Sequence, residues 1–301
     1  MERAIVVGVD GTTESLAAAE WAAREAELRH VPLRLVHVRQ PSRYVPSSEA
    51  ASAAGRHMSR TILRAAEDRI HAVCPHLPMT DVQLEGAPSA ELVRMADTSE
   101  FLVLGSRGLS GLTGFFAGSV ALAAVAHAER PVVLVRPQLD AGDGPAEGPA
   151  GAAQGQSAPR EVVVALDIAA PCDEVIEFAF EAARPRAARL RAVHAWNEVS
   201  GTTLDPSGTS RRKAPQTEAE WSAFLAAVLR PWRDKYPEVT VVPSVGHGRR
   251  AGLVLQAAES AELLVVGRRL RAHPGIGPYT GPVAHAAVHH ARCPVAVVPH
   301  V

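Results

Sequence analysis

Short apolar runs alternate along the chain with longer stretches in which apolar residues recur at helical spacing. Ile5-Val6-Val7-Gly8-Val9 reads as a strand buried on both faces, ending at Asp10. Gly11-Thr12-Thr13 makes a turn, and either threonine is placed to cap the next helix. From Glu14 to His30, Leu16, Ala19, Ala23 and Ala26 put an apolar stripe on one helical face, and Pro32 helps to close the helix. Leu33 to Val38 is the second strand, which completes a βαβ unit of right-handed crossover. Residues 40–56 are polar and irregular, and the pattern predicts a helix from about Met58 to Val73, ended by Pro75 and Pro78. Thr80 to Leu84 is a third strand, Ser89 to Ala96 a short helix capped by Ser89, and Phe101 to Leu104 a fourth strand. Ser119 is predicted to cap a helix marked by Val120, Ala124, Val125 and Ala128, and Pro131 to Val135 is a fifth strand. Such a series forms a doubly wound parallel sheet. Ligands bind outside the carboxyl ends of its strands, where Asp10 and Gly105 both fall.

The pattern then breaks and restarts. Residues 138–160 are rich in Gly, Pro and Ala without periodicity and read as a flexible linker. After it, Glu161 to Asp167 echoes Ile5 to Asp10, and Leu190 to Ala195 echoes Leu33 to Val38. Leu263 to Gly267 echoes Phe101 to Gly105, and His290 to Val298 echoes His127 to Val135. Four matched elements in one order indicate a duplication. The expectation is an α/β protein of two tandem doubly wound domains, residues 1–137 and 161–301, each with a five-stranded parallel sheet.

Composition narrows the classes of function. Of 301 residues, 47% are apolar and 21% charged, with a net charge of -1, so nothing favours a general affinity for nucleic acid or anionic membrane. No apolar run approaches the roughly 18 residues of a membrane span, and the chain enters its first strand at once, which gives a cytoplasmic protein as the expectation. Cys74, Cys172 and Cys293 are far apart, form no Cys-x-x-Cys pair and read as small buried hydrophobes. His289-His290 near a helix end reads as a charge partner for that end rather than a metal pair.

The chemistry concentrates between Gly105 and Val120. Glycines at 105, 108, 111, 114 and 118 follow a strand and lead into a helix, where free N–H groups and the helix dipole both face an anion. A glycine-rich surface loop that binds nothing is the alternative. The Gly-Lys-Ser/Thr of a Walker A loop and the G-x-G-x-x-G of a dinucleotide fold are both missing. The spacing present is Gly105, two residues, Gly108, nine residues, Gly118-Ser119. It resembles the nucleotide-binding motif of the universal stress protein family, whose fold is of the adenine nucleotide alpha hydrolase type. The tandem arrangement, with Trp21-Ala22-Ala23-Arg24-Glu25-Ala26 in the first helix, resembles two-domain members found in actinobacteria.

That resemblance implies ATP, with or without Mg2+, at the strand ends of the first domain. Asp10 matches the family's acidic residue toward the ribose, a carboxylate being an apt acceptor for hydroxyls, although an aspartate there also serves as a helix cap. Gly8 leaves room beside the nucleotide or marks close packing. Val38 stands where the family reads adenine with backbone groups. Gly105, Ser106, Arg107 and Gly108 would wrap the ribose and α-phosphate, with Arg107 either a phosphate cation or a solvated side chain. Gly118, Ser119 and Val120 would present N–H groups and a hydroxyl to the outer phosphates.

In the second copy Asp167 and Gly267 persist, while Gly8 becomes Ala165, Gly108 becomes Leu270 and Gly118-Ser119 becomes Gly281-Pro282. Proline removes an N–H and a hydroxyl, so nucleotide binding there is expected to be weak, altered or absent. Arg268, Arg269 and Arg271 supply charge instead. Residues 201–215 are irregular and basic, as a flap would be. No nucleophile elbow and no general base accompany the phosphate end. The favoured expectation is therefore a nucleotide-dependent regulator in stress adaptation with an unknown protein partner. A slow ATP-hydrolysing enzyme and a ligand-free dimerisation module are the alternatives. The apolar final strands, Val132 to Val135 and Val295 to Val298, lead to the expectation of domain packing and a homodimer.

Overall fold

Valine-rich runs form the inner strands because branched side chains fill a sheet covered on both faces. The computed structural model describes residues 3–40, 49–106, 118–137, 160–196, 217–270 and 280–301. The expected linker falls outside the described residues except for Arg160, as do the basic segment 201–215 and the loop residues Arg107, Gly108, Gly111 and Gly114. The chain divides into two units, Met1–Arg160 and Glu161–Val301.

In the first unit β1 (Ile5–Gly8), α1 (Thr13–Arg29), β2 (Leu33–Arg39), α2 (Glu49–Val73), β3 (Met79–Glu85), α3 (Pro88–Asp97), β4 (Leu102–Gly105), α4 (Ser119–His127) and β5 (Val132–Val135) succeed one another. Their sheet runs β3-β2-β1-β4-β5 with every pair parallel. β1 and β5 are buried throughout, whereas the end strand β3 is half exposed. The second unit repeats the order with β6 (Glu161–Ala165), α5 (Asp173–Ala183), β7 (Arg189–Trp196), α6 (Glu218–Lys235), β8 (Val241–His247), α7 (Arg250–Ala257), β9 (Leu263–Arg269), α8 (Pro282–His290) and β10 (Val295–His300). Its parallel sheet runs β8-β7-β6-β9-β10. Each unit is thus the expected α/β fold with a doubly wound, five-stranded parallel sheet.

Three local expectations are corrected. The second helix starts at Glu49, well before Met58, because Ala50, Ala51, Ala53 and Ala54 are strong helix formers that outweigh the polar residues among them. The third helix is entered from Ala87 with Pro88 in its first turn, so Ser89 lies inside it and caps nothing. The cap of α4 is Gly118, and Ser119 is the first helical residue.

Helix α1 shows what the periodicity conceals. Its N-cap is Thr12, whose side chain accepts from the Ser15 N–H, and its C-cap is His30 in the left-handed region at φ 57. The buried face holds Ala18, Ala19, Ala22, Ala23 and Ala26, but also Glu25 at 1% exposure. Arg29 accounts for that acid: it reaches Glu25 and, at 2.7 Å, Glu100, with its guanidinium 5.1 Å from the Phe101 ring centre. Removing either partner of such a pair leaves a buried charge uncompensated. Aromatic clusters lie in the second unit. Phe180 stacks with Tyr236 and Trp232, and His194, Trp221, Trp196 and His247 form a second chain of ring contacts. No described helix is long and apolar enough to cross a membrane.

One glycine of the first unit is fixed by packing against backbone, and a second is closely surrounded by leucine methyl groups that can shift. A Cβ on Gly105 would stand 2.6 Å from the backbone C and O of Glu14 and 2.8 Å from the Ser15 nitrogen, atoms that cannot step aside. A Cβ on Gly8 would meet the Leu104 and Leu92 side chains at 2.6 and 3.1 Å. Gly105→Ala is expected to cost about 1–3 kcal/mol through overpacking, read as a lowered urea midpoint. Gly118→Ala, where nothing described lies within 4 Å, should cost less than about 1 kcal/mol as a change of helix cap.

Candidate functional site

The loop from β1 to α1 is built by short polar side chains. The Asp10 carboxylate oxygen Oδ1 accepts from the Thr12 N–H at 3.0 Å and from the Thr12 hydroxyl at 2.6 Å. Thr12 Oγ1 accepts in turn from the Ser15 N–H at 3.2 Å, and the Ser15 hydroxyl donates to the Thr12 carbonyl at 2.9 Å. Gly11 turns the chain at φ 84, where a side chain would be strained. Asp10 is therefore a loop-former that stands exposed at the strand end, and the helix cap expected of it is Thr12 instead.

The neighbouring strand ends in step. The Val9 N–H donates to the Val36 carbonyl, and His37 Nδ1 lies 2.8 Å from the Val9 carbonyl oxygen. A carbonyl only accepts, so Nδ1 carries the proton. Because alternate residues of a strand face the same neighbour, Val38 turns its N–H and C=O toward the side that Val36 presents to β1, beyond the point where β1 stops.

These ends enclose a cavity of about 230 Å³. Seven of the ten expected residues line it: Gly8, Asp10, Val38, Gly105, Gly118, Ser119 and Val120. Thr12, Glu14, Ser15, Pro88 and Leu92 join them. Ser106 does not. It is 1% exposed, its N–H continues the β4–β5 ladder to the Val135 carbonyl, and its hydroxyl has no partner among the described residues. Arg107 and Gly108 lie outside the described residues. At the entrance of α4 the first-turn N–H groups of Ser119, Val120 and Ala121 face the cavity, beside a Gly118 that no described side chain crowds. Gly118 has an ordinary φ of -60, so neither backbone conformation nor packing among the described residues requires glycine there. No group of three or more His, Cys, Asp or Glu is placed to hold a metal ion among the described residues.

The second unit has a cavity at the corresponding strand ends, about 430 Å³ in volume, lined by Asp167, His194, Arg250, Gly267, Arg269, Gly281 and Pro282 among others. His194 Nδ1 approaches the Leu166 carbonyl at 3.0 Å, as His37 does Val9. Burial lowers the His194 pKa, opposed by the bond to Leu166, so the ring is held neutral. Cys172, also in the lining, has its thiol pushed up to about 11 by burial and by its contact with the Glu174 carboxylate.

The universal stress protein family profile matches residues 1–136 and again 159–299. The chain belongs to the universal stress protein family. Universal stress protein Rv2005c of Mycobacterium tuberculosis is 33% identical over 305 residues, covering 98% of this chain and 97% of the relative. Universal stress protein Rv2623 of the same organism is 29% identical, covering 97% and 95%. The crystal structure of a universal stress protein from Archaeoglobus fulgidus superposes with a TM-score of 0.73 at 16% identity, covering 98% of each chain. That likeness bears on the fold.

The family motif did not indicate His37, Thr12, Glu14 or Ser15. A signal for one existed: the strand echo repeats histidine at 37 and 194, and both rings take the carbonyl that comes just after the first strand of their unit.

The second cavity leads to two expected outcomes. With its thiol near 11, Cys172 should have a thiolate population at pH 8 on the order of 100-fold below that of an ordinary cysteine, partly offset by greater nucleophilicity, and so alkylate at least about tenfold more slowly; timed iodoacetamide labelling with peptide mapping measures this. His194 resists protonation in the folded chain, so the unfolded chain binds the extra proton first. Stability is therefore full above the ordinary histidine value of 6.5, falls as pH drops below it, and levels off beneath the lowered folded value. Urea midpoints of the wild type and His194→Gln across that window should diverge above it and converge below it.

Proposed function

We propose that the first unit binds ATP and that its occupancy governs conformation or partner binding in a nucleotide-dependent regulator of stress adaptation. One observation carries this reading. Gly118 leaves open space at the mouth of α4 for which the protein's own described packing has no use, beside three backbone donors. A phosphate fits both features. Membership of the family supports the same reading.

In this arrangement the Asp10 carboxylate accepts from the ribose hydroxyls, and Val38 meets adenine with its backbone beyond the end of β1. Gly8 and Gly105 keep the floor flat, since Leu104 and α1 already fill the space behind them. The outer phosphates rest on the N–H groups of Ser119 and Val120, with the Ser119 hydroxyl beside them. Arg107 and Gly108, carried over from the family motif, cover the ribose and α-phosphate. Ser106, being off the lining, shapes the loop from behind. Asp10 and Glu14 are the carboxylates of the described lining, and two carboxylates with phosphate oxygens form a donor set that Mg2+ accepts.

Equilibrium dialysis with labelled ATP, followed by a phosphate-release assay, tests the reading. The wild type should take up one ATP per chain with negligible release. Asp10→Ala should weaken binding about tenfold, the loss of one charge-assisted contact, and Gly118→Leu should abolish it while the urea midpoint stays within about 1 kcal/mol of wild type. No uptake by the wild type would refute the proposal, and rapid phosphate release would make the protein an enzyme instead. Light scattering with and without ATP tests whether a homodimer forms and responds to nucleotide.

A further inference from the structure

The second unit keeps the frame of the first but changes the groups that face its cavity. Arg250 opens α7 where Pro88 opens α3. Its Nη1 lies 3.5 Å from Asp167 Oδ2, and the other oxygen, Oδ1, accepts from the Ala169 N–H at 3.3 Å. Asp167 is the counterpart of Asp10, and here both of its oxygens are engaged within the protein. A ribose would meet an acceptor already held by a cation. Pro282 opens α8 and has no N–H, so the helix entrance offers one backbone donor fewer than that of α4.

What is lost in backbone donors is replaced by side-chain charge. Arg250 and Arg269 line the cavity, against Asp167 as the one acid of the described lining, and His300 stands beside them. Glu174 stands near His300 but is held by the Cys172 thiol and lies off the lining. At the back of the cavity His194 is 2% exposed, its Nδ1–H donates to Leu166 and its ring packs against Trp221, so the histidine closes the floor rather than offering a ligand group.

We propose that the second unit's cavity binds a compact dianion, a phosphate- or carboxylate-bearing small molecule, rather than a second nucleotide. The anionic group sits between Arg250, Arg269 and the first turn of α8. This site is independent of ATP binding by the first unit, so either proposal can fail alone.

Inorganic pyrophosphate is the probe. The readout is the backbone N–H signal of Val283, which lines the cavity in the first turn of α8, in a 15N-labelled full-length chain, assigned with Val283→Ala. Pyrophosphate should shift this signal saturably. Arg250→Pro, which installs the residue the first unit carries at the same helix position, should weaken it about tenfold. Arg250→Gln, which keeps a polar side chain of similar reach, should do the same if the proline variant folds poorly. Malonate titrated in parallel separates the two anion chemistries, and a shift equal to that of pyrophosphate extends the site to carboxylates. The proposal is overturned if pyrophosphate leaves Val283 unmoved at millimolar concentration, if both Arg250 variants bind it as the wild type does, or if ATP binds this cavity more tightly than pyrophosphate.

Discussion

The carboxyl edge of the first unit depends on a contact between two backbones. The start of α1 lies against Gly105 so closely that the carbon of a methyl group would stand 2.6 Å from the Glu14 carbonyl. That approach fixes where α1 begins relative to the end of β4, and so where the Asp10–Ser15 loop is held. The short bonds among Asp10, Thr12 and Ser15 then need to stabilise only one turn of chain. Close packing of this kind is intolerant of added volume and accordingly precise in position.

A second constraint recurs in both units. A histidine on the second strand donates to the carbonyl just past the first, at 2.8 Å for His37 and 3.0 Å for His194. The side chain takes over at the point where strand pairing stops, so the two chains separate without leaving that carbonyl bare. The gap between them opens the cavity. Duplication has kept this frame while the groups at its rim have changed, with arginine for proline at position 250 and proline for serine at 282. Fold and ligand chemistry are thus separable in this chain: buried valines and paired histidines carry the one, and a few exposed positions carry the other.

The order of strands and helices was legible because valine runs and alanine stripes have different periods, and because the second half repeats the first. Helix boundaries were less so. Ser119 and Ser89 have the chemistry of caps, yet Gly118 and Ala87 hold those places, the second because Pro88 prefers the first turn. Of the ten candidate site residues, seven line the cavity, but Gly8, Asp10 and Val38 came from the family resemblance and only the glycine loop from its spacing. Ser106 lies off the lining, and a strand that ends in glycine gives no sign of which way the next side chain points. Gly105 and Gly118 look alike in sequence, but the first is demanded by a helix backbone and the second by nothing described. The Arg250–Asp167 pair was invisible, because it joins residues 83 positions apart and depends on helix α7 starting beside the end of β6.

The four tryptophans are unequally shared, with Trp21 in the first unit and Trp196, Trp221 and Trp232 in the second. Two of those three stand against histidine or each other, and the third stacks with Phe180 and Tyr236. Three of the four indoles therefore report on one half of the molecule. Their near-ultraviolet absorption belongs mostly to the unit with the arginine-lined cavity, so the duplicated chain carries an uneven optical label that tells its copies apart.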